Sequence, residues 1–181
     1  MDTWDAKDIY AVSFLVQANQ AFSYNGCSNV SQFSICYNTE SGCNYEDELS
    51  EERWNYACWT SDVEYIIDTY HKNEATDRLF EWYEENSITK LGYEDTDCYD
   101  VFGKYIGKGP NGHYELVNLV AEVARKLQEE QYLNNRFGKE IPILIHGLEY
   151  TWYDIEATKR ANPHGAADTF LKALKSLGWI E

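Results

Sequence analysis

A run near the start of the chain, Ile9–Val16, consists of β-branched, aromatic and small apolar residues without helical spacing. Such a run predicts a β-strand with both faces mostly covered. In the following segment, Ser31–Tyr37, the side chains of Phe33, Ile35 and Tyr37 alternate with smaller or polar ones, which is typical of a strand with one buried face. We therefore expect the fold to be built on a sheet.

The remaining segments extend this sheet and cover it. Tyr24-Asn25-Gly26 is a turn that tolerates positive φ and predicts an antiparallel hairpin between the two strands. A third strand is predicted at Ile141–Ile145, where Pro142 must lie at the strand start or on a sheet edge because it cannot donate to a ladder. A capping box at Ser61 and apolar periodicity predict a kinked helix or two short ones over residues 61–83, and further helices over 112–134, 153–161 and 165–177.

These elements together predict the fold class. We expect one α+β domain over residues 1–181, with a small, mainly antiparallel or mixed sheet of three or more strands packed against several helices.

The charge of the chain is distributed unevenly. Thirty-one Asp and Glu residues against fifteen Lys and Arg residues give a formal net charge of -16. Residues 1–107 contain 21 acids and 6 bases, whereas residues 108–181 contain 10 acids and 9 bases. A field of this sign repels nucleic acid and anionic membranes, and it attracts basic proteins or cations. We therefore expect a basic protein as the partner, and neither nucleic acid nor a membrane.

The sequence also predicts a cytoplasmic location. Met1–Lys7 is acidic and lacks the apolar run of a secretory signal or transit peptide, and no stretch of about 18 apolar residues is present to span a membrane. The cysteines are odd in number, scattered and without a C-x-x-C pair, which predicts reduced thiols: Cys27, Cys36, Cys43, Cys58 and Cys98.

Two short motifs suggest a bound ligand but lack the necessary context. Gly107–Gly112 matches G-x-G-x-x-G, yet no clear strand precedes it and Pro110 removes one of the amides that a phosphate would need. The acidic run from Glu94 to Asp100 lacks the glycine and the final glutamate of a calcium loop. We therefore predict no catalytic residue, no metal and no cofactor from motifs.

Carboxylates and aromatic rings coincide in the first part of the chain. Tyr and Trp are enriched at the energetic centres of interfaces, while carboxylates accelerate association with a basic partner. The predicted partner surface consists of Glu46, Asp47, Glu48, Glu51, Glu52, Trp54, Trp59, Glu84, Glu85, Glu94, Asp95 and Asp97.

Several segments, in this order, also carry a resemblance to a known family: Asp8–Phe14 (DIYAVSF), Tyr37–Glu40 (YNTE), Glu52–Trp59 (ERWNYACW), Ile141–His146 (IPILIH) and Asn162-Pro163. The chain resembles a bacterial family of unknown function, family 4303. The resemblance implies a small α+β protein without known catalytic residues, of a kind sometimes encoded near toxin systems. Because Arg53 can pair with Glu40 and the tryptophans can pack over the second strand, these boxes are expected to be structural.

Three functional hypotheses follow. The leading one is a cytosolic, immunity-type inhibitor that masks a basic, nuclease-like bacterial toxin by placing acids where nucleic acid would bind. The runner-up is a small hydrolase or metal-dependent enzyme that uses His146, at the end of the third strand, with Glu149 and a cysteine. The third is an acidic domain of purely structural role, whose charge only prevents association.

Overall fold

The structure is a computed structural model that describes residues 1, 4, 7–43, 47–59, 62–68 and 73–180. Its sheet contains Ile9–Asn19 (β1), Val30–Thr39 (β2), Glu64–Ile67 (β3) and Ile143–His146 (β4), in the order β3-β2-β1-β4. β1 pairs antiparallel with β2 and parallel with β4, and β2 pairs antiparallel with β3. The predicted α+β class with a mixed sheet is therefore confirmed.

The α-helices of the described residues are Glu51–Trp54 (α1), Glu74–Glu85 (α2), His113–Glu129 (α3), Tyr132–Phe137 (α4), Trp152–Ala161 (α5) and Asp168–Ser176 (α6). Short 3-10 turns span Tyr56–Cys58, Asp95–Cys98 and Pro163–Gly165. Within the described residues, no helix is both long enough and apolar enough to cross a membrane.

The hairpin between β1 and β2 forms as predicted. Tyr24 and Cys27 pair across its turn, and Asn25 and Gly26 have φ values of 48° and 81°. Two consecutive residues with positive φ twist the chain in the sense that antiparallel strands require. The local sequence Asn-Gly therefore determines this connection.

Helices cover both faces of the central strand β1, as predicted. On one face, Val12, Phe14 and Val16 pack into the main core with apolar residues of α2 and α3. On the other face, Tyr10 and Ala11 pack into a second core with Leu144 of β4 and with Trp54, Phe170, Ala173 and Leu174. The prediction for β2 is wrong in one respect, because its second face is buried too, at Ser34 and Cys36.

Residues 62–68 do not form the first part of the helix that the sequence predicts from Ser61. Ser61 itself lies outside the described residues. Glu64–Ile67 is a strand instead, with Ile67 opposite Phe33 of β2. The open edge of β2 satisfies the backbone of this segment and overrides its short helical spacing. The helix begins later, at Glu74, where the side chain of Asn73 accepts a hydrogen bond from the Thr76 amide at 2.8 Å.

The long helix predicted over 112–134 is divided into two. α3 ends at Glu129, Gln131 adopts a left-handed φ of 55°, and α4 begins at Tyr132. The predicted apolar stripe is confirmed, since Leu116, Val117, Val120 and Ala124 are all buried. The last strand begins after Pro142, whose carbonyl accepts from the Val12 amide at 3.0 Å, and it lies on a sheet edge as Pro142 requires.

Candidate functional site

The predicted partner surface is divided between the two ends of the β1–β2 hairpin. The guanidinium of Arg53 donates to both carboxylate oxygens of Glu40, at 2.9 and 2.8 Å, which places α1 near the Thr39 end of β2. At the turn end, the Tyr24 hydroxyl donates to Glu84 at 3.0 Å. A strand rises about 3.3 Å per residue, so these ends are roughly 30 Å apart. One group of acids, Asp47, Glu48, Glu51 and Glu52, therefore lies far from Glu84 and Glu85.

The other predicted acids begin near the turn end as well. The Tyr93 amide donates to the Asn29 carbonyl at 3.0 Å, and Glu94, Asp95 and Asp97 come directly after it. Glu46 lies outside the described residues. The acids predicted from the sequence thus do not form one continuous surface.

The tryptophans of the predicted surface have structural roles. Trp54 is 3% exposed, its indole donates to the Glu48 carbonyl at 2.6 Å, and its ring meets that of Tyr10 edge to face. The indole of Trp59 donates to the Arg53 carbonyl at 3.1 Å. Trp54 cannot contact a partner without unfolding its surroundings, so its place in the predicted surface is wrong. Its ring packs on Tyr10 of the first strand, whereas the sequence predicts packing over the second strand.

Arg53 is the centre of this packing. Besides its confirmed pair with Glu40, its guanidinium lies 3.9 Å from the centroid of the Tyr10 ring. The Arg53 hydrogen bonds lower the pKa of the Glu40 carboxyl. Arg53 therefore stabilises the contact of α1 with the sheet.

A protruding hairpin over residues 99–106, here called the apolar tip, carries five of the ten exposed large hydrophobic residues of the described chain. Val101 is 93% and Phe102 is 91% exposed. The hairpin is well ordered by hydrogen bonds: the Asp100 amide donates to the Lys104 carbonyl at 2.8 Å, and one carboxylate oxygen of Asp100 accepts from the Phe102 and Lys104 amides at 2.9 Å each. The backbone therefore holds both apolar side chains in solvent.

The base of the apolar tip is anchored to α5. The rings of Tyr99 and Tyr105 meet edge to face at 5.9 Å, and the Trp152 indole donates to the Tyr105 hydroxyl at 2.6 Å. Asp97, just before the tip, forms an ion pair with Lys90 at 3.3 Å. Asp97 and Asp100 each have a structural partner, which explains these carboxylates without a metal.

His146 of the runner-up hypothesis has a packing role. Its side chain is 1% exposed, with Nε2 2.7 Å from the Ser13 hydroxyl and Nδ1 2.9 Å from the Gly147 carbonyl oxygen. The Tyr56 ring covers it at a centroid distance of 4.5 Å. Burial lowers the pKa of His146 to about 4, so it is neutral at pH 7. Glu149, by contrast, is exposed in the loop after β4.

A cavity of about 320 Å³ opens where the parallel strands β1 and β4 end. Ligands often bind at the carboxyl ends of parallel strands, because the chain leaves the sheet there and its loops diverge. The walls come from β1, the loop after β4, the start of α5 and the segments leading to α3: Val16, Gln17, Ala18, Tyr93, His113, Gly147, Leu148, Glu149, Thr151, Tyr153 and Asp154.

Asp154 is the most unusual wall residue of this cavity. It is 0% exposed, and its Oδ2 accepts from the amide and the hydroxyl of Thr151 at 3.0 and 2.7 Å, in a capping box that begins α5. Its Oδ1 is buried and makes no hydrogen bond within the described part of the chain. Burial raises the pKa of Asp154 to about 6, and the hydrogen bonds from Thr151 and from the Gly147 backbone offset part of this effect.

His113 forms another wall. It is the first residue of α3, it is 4% exposed, and its Nδ1 lies 2.8 Å from the Ser31 hydroxyl. The rings of Tyr93 and Tyr153 meet it edge to face at 5.0 and 5.9 Å. Burial lowers the pKa of His113 to about 4, so this wall is uncharged at pH 7.

The glycines of the G-x-G-x-x-G match are explained by packing. A Cβ on Gly109 would lie 2.7 Å from the Tyr153 ring, and one on Gly112 would lie 2.8 Å from the Leu91 Cα. Gly112 also has a φ of 73°. No strand precedes the segment, as expected, since residues 99–106 form the apolar tip. The match therefore has the geometry of a close-packed loop.

Comparison of the chain with protein-family models, with curated proteins and with solved structures finds no match in any of the three. The resemblance to family 4303 therefore stays a prediction.

The sequence interpretation missed both the cavity and the apolar tip. Thr151-x-x-Asp154 is a capping-box signature and would have indicated the start of α5, although not the burial of its carboxylate. Val101 and Phe102 have no sequence signal for exposure, because two adjacent apolar residues are equally compatible with a core position.

Proposed function

We propose that the protein is an acidic binding protein that docks onto a basic protein through its apolar tip. The observation that supports this most directly is the exposure of Val101 and Phe102 on an ordered hairpin. Water is an unfavourable environment for a large apolar side chain, and exposed apolar patches on otherwise polar surfaces are typical of interaction sites. A partner that offers an apolar pocket would remove both side chains from solvent.

The charge of this protein indicates which residues should border the pocket on the partner. Residues 90–106 contain four acids and two lysines, in a chain whose formal net charge is -16. A partner pocket bordered by lysine and arginine would complement this field and would accelerate encounter at low salt. The tip then supplies the apolar contact, and the surrounding carboxylates supply orientation.

Within this proposal, the partner class that fits best is a nuclease-like toxin of bacterial origin. A nucleic-acid-binding surface is basic, so an acidic inhibitor can cover it in place of the natural substrate. The charge distribution of the sequence and the predicted resemblance to family 4303 support this finer part. An acidic domain of purely structural role would gain nothing from an exposed Val-Phe pair.

The test compares the wild-type chain with the double variant Val101→Ser, Phe102→Ser as immobilised bait for proteins of its own organism. Because both side chains are more than 90% exposed, the double variant is expected to fold normally. The control is Val123→Ser, which changes a 46% exposed residue of α3. We expect a basic protein to bind the wild type and the control, and to be lost from the double variant.

The captured protein is then purified and its association measured at increasing salt. Steered association should slow as salt screens the charges. If the partner cleaves nucleic acid, an equimolar amount of the wild-type chain should stop cleavage and the double variant should not. Capture that is unaffected by the double variant, or a partner without net positive charge, would overturn the proposal.

A further inference from the structure

The pair Asn25-Gly26 forms the tip of the β1–β2 hairpin and is open to solvent. Both residues are exposed, and a Cβ on Gly26 would meet no atom within 4 Å beyond its chain neighbours. The Gly26 amide donates no hydrogen bond to any residue that the structure describes. One bridged pair closes the turn, Tyr24 and Cys27, whose amides each donate to the carbonyl of the other at 2.9 Å. A tip held by a single such pair opens more readily than the buried ladder behind it.

The sequence contains one other Asn-Gly pair, Asn111-Gly112, and the fold holds this pair in place. Gly112 is buried, and its amide donates to the carboxylate of Glu115 at 2.7 Å. The side-chain oxygen of Asn111 accepts a hydrogen bond from Lys108 Nζ at 2.6 Å. Loss of the Gly112 amide proton would leave its nitrogen facing a carboxylate, which disfavours that loss. The chain therefore contains two identical dipeptides, of which one is open and the other is locked.

We propose that Asn25 is a site of spontaneous covalent modification. The deprotonated amide nitrogen of Gly26 attacks Cγ of the Asn25 side chain, a C–N bond forms, and the Cγ–Nδ2 bond breaks with release of ammonia. Water then adds to either carbonyl of the resulting succinimide ring, and the ring opens to aspartate or isoaspartate. Glycine favours the attack because no Cβ hinders its nitrogen. The reaction needs only water, and it is independent of the partner proposed for the apolar tip.

The fold sets the relative rates at the two pairs. Closure of the ring requires the peptide group between Asn25 and Gly26 to rotate out of the turn, in which both residues have positive φ. Native Asn25 should therefore react more slowly than the same dipeptide in an unfolded chain. Asn111 should react more slowly still, because its reaction requires the Glu115 hydrogen bond to break and a buried glycine to become exposed.

The modification would weaken the contact of the turn with α2. The ring of Tyr24 stacks on that of Phe80 at a centroid distance of 3.6 Å, and its hydroxyl donates to Glu84 at 3.0 Å. Isoaspartate lengthens the main chain of the turn by one carbon, so the paired hydrogen bonds of Tyr24 and Cys27 lose their geometry. Aspartate instead places a negative charge close to Glu84. Both products therefore loosen α2, while the β1–β2 ladder behind the turn remains paired.

The experiment follows both Asn-Gly pairs while the full chain is incubated at mildly alkaline pH, where a backbone amide loses its proton more often. Peptides with Asn25 and Asn111 are recovered by digestion at acid pH, and mass spectrometry measures the conversion of amide to acid. An isoaspartyl-specific methyltransferase then counts the isoaspartate. We expect Asn25 to convert at least about ten-fold faster than Asn111 in the native chain. In guanidinium chloride at the same pH the two rates should be similar, because only the fold distinguishes the pairs.

The matched control is Asn25→Gly, because glycine suits the positive φ of this turn and lacks the reacting side chain. Hydrogen exchange is compared between fresh and aged protein. In the aged wild type, exchange should be faster in α2 and unchanged in α3. The aged Asn25→Gly chain should exchange like its fresh form in both helices.

Equal conversion of Asn25 and Asn111 in the native chain would overturn the proposal. Intact Asn25 in the native chain after the denatured chain has reacted would overturn it as well. Aged wild type in which Asn25 is converted but α2 exchanges as slowly as in fresh protein would overturn the effect assigned to Tyr24.

Discussion

Single buried ionisable residues make opposite contributions to the stability of this protein as the pH changes. The pKa of Asp154 is raised from 3.8 to about 6, so its contribution to stability is fully present below pH 3.8 and is lost as the pH rises through 6. The pKa values of His113 and His146 are lowered from 6.5 to about 4, so their contributions are present above pH 6.5 and are lost as the pH falls through 4.

This balance predicts the effect of removing the buried charge. We expect Asp154→Asn to increase the free energy of unfolding by about 2 to 3 kcal/mol at neutral pH, since each unit of pKa shift corresponds to roughly 1.4 kcal/mol. The amide oxygen can still accept the hydrogen bonds of Thr151, but the NH2 group takes the unpartnered place of Oδ1, so the expected gain stays below the roughly 3 kcal/mol of the whole pKa shift. Denaturant unfolding near pH 7.5 and near pH 4 measures the difference, which should nearly vanish at the lower pH.

The matched control for this prediction is Glu156→Gln, two residues further along α5. Its carboxylate is exposed and pairs with Lys159, so its replacement should change stability little at either pH. A neutral-pH stability of Asp154→Asn equal to or below that of the wild type would contradict the assigned cost of this buried carboxylate.

At the scale of elements, the contact between α1 and the sheet depends on the planar geometry of one arginine. Arg53 makes a bidentate pair with Glu40 and stacks on Tyr10, and an ammonium group can reproduce neither arrangement. We expect Arg53→Lys to reduce the free energy of unfolding by about 1 to 2 kcal/mol, a moderate value because the Glu40 side chain is half exposed.

The same substitution on α2 serves as the control for this prediction. Arg78 is 71% exposed and pairs with Glu74 and Glu81 on its own helix, so Arg78→Lys should leave the unfolding midpoint unchanged. Thermal or denaturant unfolding measures both variants. Equal effects of the two substitutions would show that charge, and not the geometry of Arg53, stabilises α1.

The helices and strands also show which local sequence signals are sufficient to predict secondary structure. The hairpin turn at Asn25-Gly26 was predictable because positive φ restricts the choice of residue, and the α3 stripe was predictable because it repeats over many turns. Residues 64–67 were mispredicted because four residues cannot establish a period, so the open edge of β2 decided their conformation. The end of α3 likewise depends on the left-handed backbone of Gln131, a residue that carries no stop signal.

For the whole molecule, the acidic excess is expected to act against the compact state. A formal net charge of -16 produces self-repulsion that salt can screen. Raising NaCl from about 0.01 M to about 0.15 M shortens the Debye length from about 30 to 8 Å. We therefore expect the thermal midpoint to rise over this range, as scanning calorimetry would show.

A variant with fewer acids provides the comparison for the salt effect. Replacing Asp47, Glu48, Glu51 and Glu52 by their amides removes four charges near α1, so the midpoint at low salt should rise and its salt dependence should become weaker. A midpoint that is independent of salt in the wild type would mean that local ion pairs already compensate the excess charge.

The α+β class, the β1–β2 hairpin, the main amphipathic helix and the sign of the molecular field could all be predicted from the order of the residues. These properties depend on neighbouring residues or on sums over the chain. Only the folded chain shows that Trp54 is a core residue, that Val101 and Phe102 are exposed, and that Asp154 is buried in the same cavity wall as His113. Exposure and burial result from contacts between segments far apart in the chain, and no local pattern encodes which segments will meet.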